Sequence, residues 1–301
     1  MSETTPTVNK LQLAKLAKLV RAKAGLTQAQ LGAIALPHLT AKQALNKIGF
    51  LENGQGGVDE DELKAILDAC EVEEDLRVPM LRARAATSQR GRWSGFRAVY
   101  SEAFRKHVDL EEDASSIQVV WVEGIPDLLN DEPYARAMFA PYYPGSRQAD
   151  ELDAAVAARL ARARALQQDR PDGKKPVKYH AVLSESCVRR VVGDSAVMRG
   201  TIGHMLQLSE QPNVTIQIVR NNAEFKGDDG ALTRFLIFKV PVAGIESDLQ
   251  FVYTNVANEP RYMDDKVALD AFEDMWTTVL GAAANPQESR RFLTEVYRAL
   301  G

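Results

Sequence analysis

Apolar residues recur at helical spacing almost from the start of the chain. Leu13, Leu16, Ala17 and Val20 line one side of Lys10 to Ala24, and Lys15, Lys18 and Arg21 lie outside that stripe. The pattern predicts an amphipathic helix that Gly25 ends. Thr27 with Gln30 has capping-box spacing, in which the hydroxyl accepts an orphan amide and the side-chain amide reaches back. Leu31 and Ile34 would supply the buried face of the helix it opens. Leu36-Pro37-His38-Leu39 interrupts that helix, because proline lacks a donor and restricts the residue before it. Thr40 and Gln43 repeat the box and start a further helix to Leu51. At about 100° per residue, Lys42, Gln43, Asn46 and Lys47 fall in one arc, and Ala44, Leu45, Ile48 and Leu51 in the opposite one. Asn53-Gly54 and Gly56-Gly57 read as a turn. Asp59 with Glu62 is a third box, opening a helix with the stripe Leu63, Ile66, Leu67 and Cys70.

Residues 1 to 8 read as a polar tail. From Val72 to about Asp109 the pattern is that of a helical connector, in which Trp93, Phe96, Tyr100 and Phe104 approximate helical spacing and are expected to pack on a second domain. Beyond it the period changes. Ser116 to Val122, Tyr179 to Ser184, Val214 to Val219, Arg234 to Val240 and Leu249 to Thr254 are short, rich in β-branched and aromatic residues, and bounded by turn formers, so they read as strands. Helical patterns cover Pro133 to Phe139, Asp150 to Gln168, Ala196 to Ser209, Lys266 to Leu280, and a last stretch from Asn285-Pro286 to Leu300; Asp169 to Pro176 is a polar loop. The expected architecture is α+β: an all-α helix-turn-helix bundle over 1–75, a helical connector over 76–110, and an α+β domain over 111–301 with a mostly antiparallel sheet and flanking helices.

Charge changes this picture more than composition does. The 301 residues carry a formal net charge of −4, which argues against a basic coat. Yet Thr4 to Leu51 holds seven basic residues and no acid, leaving 30 basic against 41 acidic elsewhere. Such segregation fits a polyanionic partner for this segment. Cys70 and Cys187 suit neither a disulfide framework nor a zinc site. No leader pattern and no long apolar run occurs, so a cytoplasmic protein is expected. The four histidines are scattered and no HExxH, GxSxG, GxGxxG or GxxxxGK motif occurs, which leaves an enzyme without parts; no catalytic residue, metal or cofactor is expected.

The helix from Thr40 carries the candidate chemistry. Lysine donates to guanine O6 and N7, and glutamine or asparagine pairs with adenine N6 and N7, groups the major groove displays. Lys42, Gln43, Asn46 and Lys47 supply those types on one face. Thr27, Gln28 and Thr40 stand at helix starts, where free amides favour phosphate and where the same side chains serve as caps. Phe50 falls on the polar arc, placed to meet a thymine methyl or to cover the following turn. In the second half, Arg189 and Arg190 suit an anionic effector or a structural ion pair. Trp121, Tyr134 and Phe235 are candidate lining for a small-molecule pocket.

LTQAQLGAI followed by a polar-faced helix ending FLENG resembles the Cro/repressor-like (XRE) helix-turn-helix class over roughly residues 10 to 72, with extra residues, LPHLTAKQ, between the two helices. The stretches VDLEEDASSIQ, IPDLLNDEPYARAM, LSESCVRRVVGDSAVMRGTIGHMLQLSEQPNVTIQIV, YMDDKVALDAFEDMW and NPQESRRFL resemble the DUF5753, or Scr1-like antitoxin-type, domain that follows such bundles in many actinobacterial regulators. Asp127 and Asp131 depart from its usual VPGLLQT pattern. The resemblance implies a transcriptional regulator of double-stranded DNA, often encoded beside a small DUF397-type protein. Bundles of this kind usually dimerise and read two half-sites about 34 Å apart. Phe272, Met275, Trp276, Leu280 and Phe292 could supply a homodimer interface or an intradomain core. The alternative is an antitoxin-like module that sequesters the small partner and binds DNA only for autoregulation.

Overall fold

Each capping box forms where the spacing places it. The Thr27 side chain accepts from the Gln30 amide while Gln30 Oε1 accepts from the Thr27 amide at 2.9 Å, and Thr40 with Gln43 and Asp59 with Glu62 repeat the exchange. The structure, a computed structural model, describes residues 8–87, 99–100, 102–145, 148–168, 175–224, 233–241, 248–256 and 259–301. The tail before Val8, Trp93, Phe96 and most of the 169–176 loop lie outside these residues.

The boxes open α2 (Gln28–Ala35), α3 (Ala41–Glu52) and α4 (Glu60–Ala69), which follow α1 (Val8–Lys23) and precede α5 (Glu74–Ala86). Gly25 at φ 69° and Gly54 at φ 65° take the left-handed backbone that the turns after α1 and α3 require. One core gathers Leu13, Leu16, Ala17 and Val20 of α1 with Leu31, Ala44, Ile48, Leu51, Leu63, Ile66, Leu67 and, from α5, Met80.

Two apolar expectations fail in this bundle. Ile34 is 57% exposed and Leu45 39% exposed. The cause of the first is a close helix approach: a Cβ added at Gly32 would stand 3.1 Å from Ala44 Cβ, so α2 turns Leu31, Gly32 and Ala35 inward. Ile34 is left on a groove of about 910 Å³ that Leu19, Leu26, Val72 and Leu76 also line. Leu45 sits at the margin of its arc, about 60° around the helix from Ile48, and is left half-exposed.

By compactness the chain divides into two units, residues 1–95 with 102–110 and 241–249, and the remainder. After α6 (Glu102–Asp113) the second unit is built on β1 (Ser116–Trp121), β2 (Lys178–Ser184), β3 (Val214–Val219), β4 (Phe235–Val240), β5 (Leu249–Val256) and β6 (Glu259–Met263). Its helices are α7 (Glu132–Phe139) and α8 (Ala149–Arg162) between β1 and β2, α9 (Ser186–Arg189) and α10 (Ser195–Leu208) between β2 and β3, and the closing pair α11 (Lys266–Ala282) and α12 (Pro286–Ala299).

The α+β class stands, with a mixed sheet of order β3-β2-β1-β4-β5-β6. β1 pairs parallel with β2 and β2 with β3, whereas β1–β4 and β5–β6 are antiparallel. The sheet is less antiparallel than expected because the first three strands are separated by helix-bearing connections long enough to cross over. Of the late strands, β4, β5 and β6 lie side by side, whereas β3 lies at the opposite edge, beside β2. β6 was not expected: EPRYM has no apolar run, and Pro260 is tolerated because this is an edge strand.

Residues alternate across the sheet. Val120, Val182, Phe235, Ile237 and Val252 face Trp276 and Val279 of α11. Trp121, Tyr179 and Tyr253 therefore belong to the other face. Phe272, Met275 and Leu280 pack against the α11 core, and Trp276 and Phe292 are 5% and 3% exposed, so this apolar set is intradomain core. None of the described helices is long and apolar enough to cross a membrane.

Candidate nucleic-acid interface

α3 presents two chemically different sides. Ala44, Ile48 and Leu51 are buried, whereas Lys42, Gln43 and Asn46 are exposed. Lys42 and Asn46 make no hydrogen bond or ion pair among the described residues, so their donors are available. Gln43 Oε1 is occupied by the Thr40 amide at 3.1 Å and the Thr40 hydroxyl at 2.7 Å. Thr27 and Thr40 are likewise engaged as caps. Lys47 lies beside Leu51 on the helical wheel; it is half-buried and forms an ion pair with Glu62. The exposed cationic character of α3 is therefore concentrated in its first half. The second half borders the acidic start of α4, Glu60, Asp61 and Glu62.

Phe50 is 51% exposed. Its carbonyl accepts from the amides of Gln55 and Gly56 at 2.9 and 3.1 Å, and a Cβ at Gly56 would meet the Phe50 Cβ at 2.9 Å. The ring thus stands over the turn and still offers a face to solvent. Gly49 leaves room for Gln28, whose Oε1 would lie 3.9 Å from an added Cβ.

The residue that orients this surface is one the sequence reading passed over. Glu52, 2% exposed at its side chain, accepts from Arg21 Nε at 2.5 Å and Nη2 at 2.8 Å, and from Gln28 Nε2 at 2.8 Å. Arg21 Nη1 also donates to the Leu26 carbonyl at 2.8 Å. One carboxylate thus ties α1, the start of α2 and the end of α3 together. Burial pushes the Glu52 carboxyl up, but the bonds from Arg21 and Gln28 outweigh it and hold it below its ordinary value. The signal was present: Glu52 falls next to Ile48 on the buried arc, and a carboxylate there demands a cation or donors.

In the second unit the candidate effector residues do not converge. Tyr134 is fully buried, and its hydroxyl accepts from the Ile125 amide at 2.8 Å. Phe235 is also core, edge-on to Phe272 with centroids 5.1 Å apart. Arg189 donates to Glu185 at 2.5 Å, joined on that carboxylate by Arg220 Nε at 2.8 Å and the Asn221 amide at 3.0 Å. Burial works against this carboxylate, but those bonds bring it down to about 2. Arg190 pairs with Glu123 at 2.5 Å. Both arginines are therefore ion-paired. Trp121 is 6% exposed and lies under the guanidinium of Arg234, whose Cζ is 3.6 Å from the ring centroid.

The two aspartates that depart from the usual loop pattern do structural work. Asp131 accepts from the Tyr134 amide at 3.2 Å, capping α7, and from the Thr201 hydroxyl at 2.8 Å. Asp127 accepts from Arg159 at 2.7 Å and pairs with Arg162 at 2.9 Å. Arg162, 1% exposed, also donates twice to Glu111 at 2.7 Å. Among the described residues there is no cluster of histidine, cysteine and carboxylate side chains that could hold a metal ion.

Residues 104–295 match the family model described as domain of unknown function (DUF5753). That is more than half of the chain, which therefore belongs to this family. No curated protein and no solved structure matches.

Proposed function

We propose that this DUF5753 family member is a cytoplasmic, sequence-specific DNA-binding transcriptional regulator, its α1–α5 bundle docking α3 in the major groove and its larger domain receiving a signal and supporting dimerisation. The observation that carries the reading is the outer face of α3. Lys42 and Asn46 project without partners among the described residues, beside Gln43, on a helix whose opposite side is locked into the core and whose end is fixed by the Arg21–Glu52–Gln28 clamp. A free ammonium and a free amide one turn apart match the guanine and adenine edges of the major groove. The exposed N-termini of α2 and α3 add amide donors for flanking phosphates.

The test begins by selecting bound fragments from a genomic library and measuring affinity by fluorescence anisotropy against salt concentration. Log affinity should fall steeply with log salt as counterions are released. Lys42→Ala with Asn46→Ala should fold normally and lose discrimination between selected and random duplexes. Asn46 is preferable to Gln43 as the second site, because replacing Gln43 also removes the side-chain half of the α3 capping box. A flat salt dependence, or unchanged discrimination in the double variant, would overturn the reading.

A further inference from the structure

Among the described residues, the ion network of the second unit around Glu111 and Asp127 holds more guanidiniums than carboxylates. Arg159, Arg162 and Arg234 bring three guanidiniums to it, and Glu111 and Asp127 bring two carboxylates. Glu111 is held by Arg162, and Asp127 is shared between Arg159 and Arg162. Arg234 feels the charge of Asp127 but makes no hydrogen bond or ion pair among the described residues, and its Nε is buried without an acceptor. Burial pushes this guanidinium below its ordinary value, the direction of a cation short of compensation.

Its place in the sheet is also informative. Trp121 is the last residue of β1, and Arg234 stands immediately before β4, whose Phe235 pairs with Val120. Between β1 and β4 the order of the sheet reverses: the chain leaving β1 runs toward β2 and β3, and the chain leaving β4 runs toward β5 and β6. Because β1 and β4 are antiparallel, the carboxyl end of β1 with Trp121 and the amino end of β4 with Arg234 lie side by side at one end of the sheet. The loop that leaves β1 carries Asp127 and Asn130, locked by Arg159 at 2.7 and 2.9 Å. A flat indole under a guanidinium whose fork lacks a carboxylate is a platform for an oxyanion.

We propose that Trp121 and Arg234 form the anion-binding part of a ligand site in this domain, taking a small molecule through a carboxylate or phosphate group that completes the charge balance at Arg234. The inference gives chemistry to the signal-receiving role proposed above and rests on that reading only for its biological meaning. Anion binding is measured without DNA, so it stands or falls separately from the duplex titration.

The experiment is a thermal unfolding series on the full chain with inorganic phosphate, benzoate and chloride at matched ionic strength. The variants are Arg234→Met, which keeps an apolar stem on Trp121, and Arg234→Lys. Wild type should gain a saturable rise in Tm of a few degrees with phosphate or benzoate and none with chloride; which anion acts separates the two headgroups. Arg234→Met should unfold at or above the wild-type Tm without added anion and lose the response, and Arg234→Lys should respond more weakly. If wild type shows no saturable response, or Arg234→Met retains it, or Arg234→Met falls well below wild type as a broken ion pair would, the proposal is overturned.

Discussion

The two units each contain an arginine cluster around carboxylates, and the clusters differ in how completely they close. In the bundle, one guanidinium meets one carboxylate through two bonds, with Gln28 donating to the oxygen that Arg21 Nη2 also uses and Leu26 supplying a carbonyl. The charges cancel, and the clamp acts as scaffold for a surface elsewhere. In the larger unit Arg162 and Arg159 pair with Glu111 and Asp127, and Arg234 has no carboxylate partner among the described residues. A closed pair positions; an open one has capacity to bind. The outer face of α3 is also unbalanced, but in water, where surplus cations cost little and attract a polyanion.

Removing a partner from the deeper cluster should have the largest effect. Glu111→Ala would leave Arg162, 1% exposed, without its two-pronged partner, and breaking a buried pair from one side costs about 3 to 5 kcal/mol. Urea unfolding followed by tryptophan fluorescence reads this; a loss under about 1 kcal/mol would mean that the network is dispensable. Glu52→Ala should cost less, about 2 kcal/mol, because Arg21 keeps access to water and its bond to Leu26. Its distinguishing outcome is weakened duplex binding with every α3 surface residue intact. Next is Gly32→Ala, whose methyl would meet Ala44 at 3.1 Å. The helices must part slightly, at about 1 to 3 kcal/mol; a stabilised variant would show that the α2–α3 contact yields freely.

Acid separates the two units without mutation. Burial holds His180 and His204 below their ordinary value of 6.5, so the unfolded chain takes up these protons first. Their contribution to the larger unit is present above that value and is lost as pH falls through it toward the folded values. The depressed carboxyls act lower. Glu185, at about 2 against an ordinary 4.5, and Glu52, also below 4.5, stabilise fully above that value and lose their contribution as pH falls below it through their folded values. Hydrogen exchange between pH 7 and 5 should therefore show the larger unit loosening while the bundle keeps its protection. His180→Gln should flatten the response. Equal loosening of both units would contradict this order.

Most of the helix and strand boundaries were legible because they are set locally, by capping spacing, proline and period. What was not legible depends on partners distant in sequence. Ile34 turned outward because Gly32 admits Ala44, a tertiary contact that no property of α2 announces. β6 lacks an apolar run because an edge strand need not bury both faces. Asp127 and Asp131, unremarkable as loop acids, are understood only once Arg159, Arg162 and Thr201 are beside them. For the interface, the wheel placed Ala44, Ile48 and Leu51 inward and Lys42, Gln43 and Asn46 outward, but it also put Leu45 inside and could not foresee that Glu62 would hold Lys47.

That last pairing gives the smallest expected effect on stability and the finest test of the surface. Lys47 shares its charge with Glu62 at a half-buried site, and such a pair contributes up to about 1 kcal/mol. Lys42 makes no ion pair among the described residues, so Lys42→Ala should leave the unfolding midpoint unchanged. On DNA the order should reverse. Removing an unpaired ammonium subtracts a full counterion-releasing contact, lowering the slope of log affinity against log salt by about 1, whereas the charge lost in Lys47→Ala was already answered by a carboxylate. Equal slopes for the two variants would mean that α3 meets the duplex along its whole length. A larger change for Lys47→Ala would place the contact at the end of the helix next to α4, against the acid that borders it.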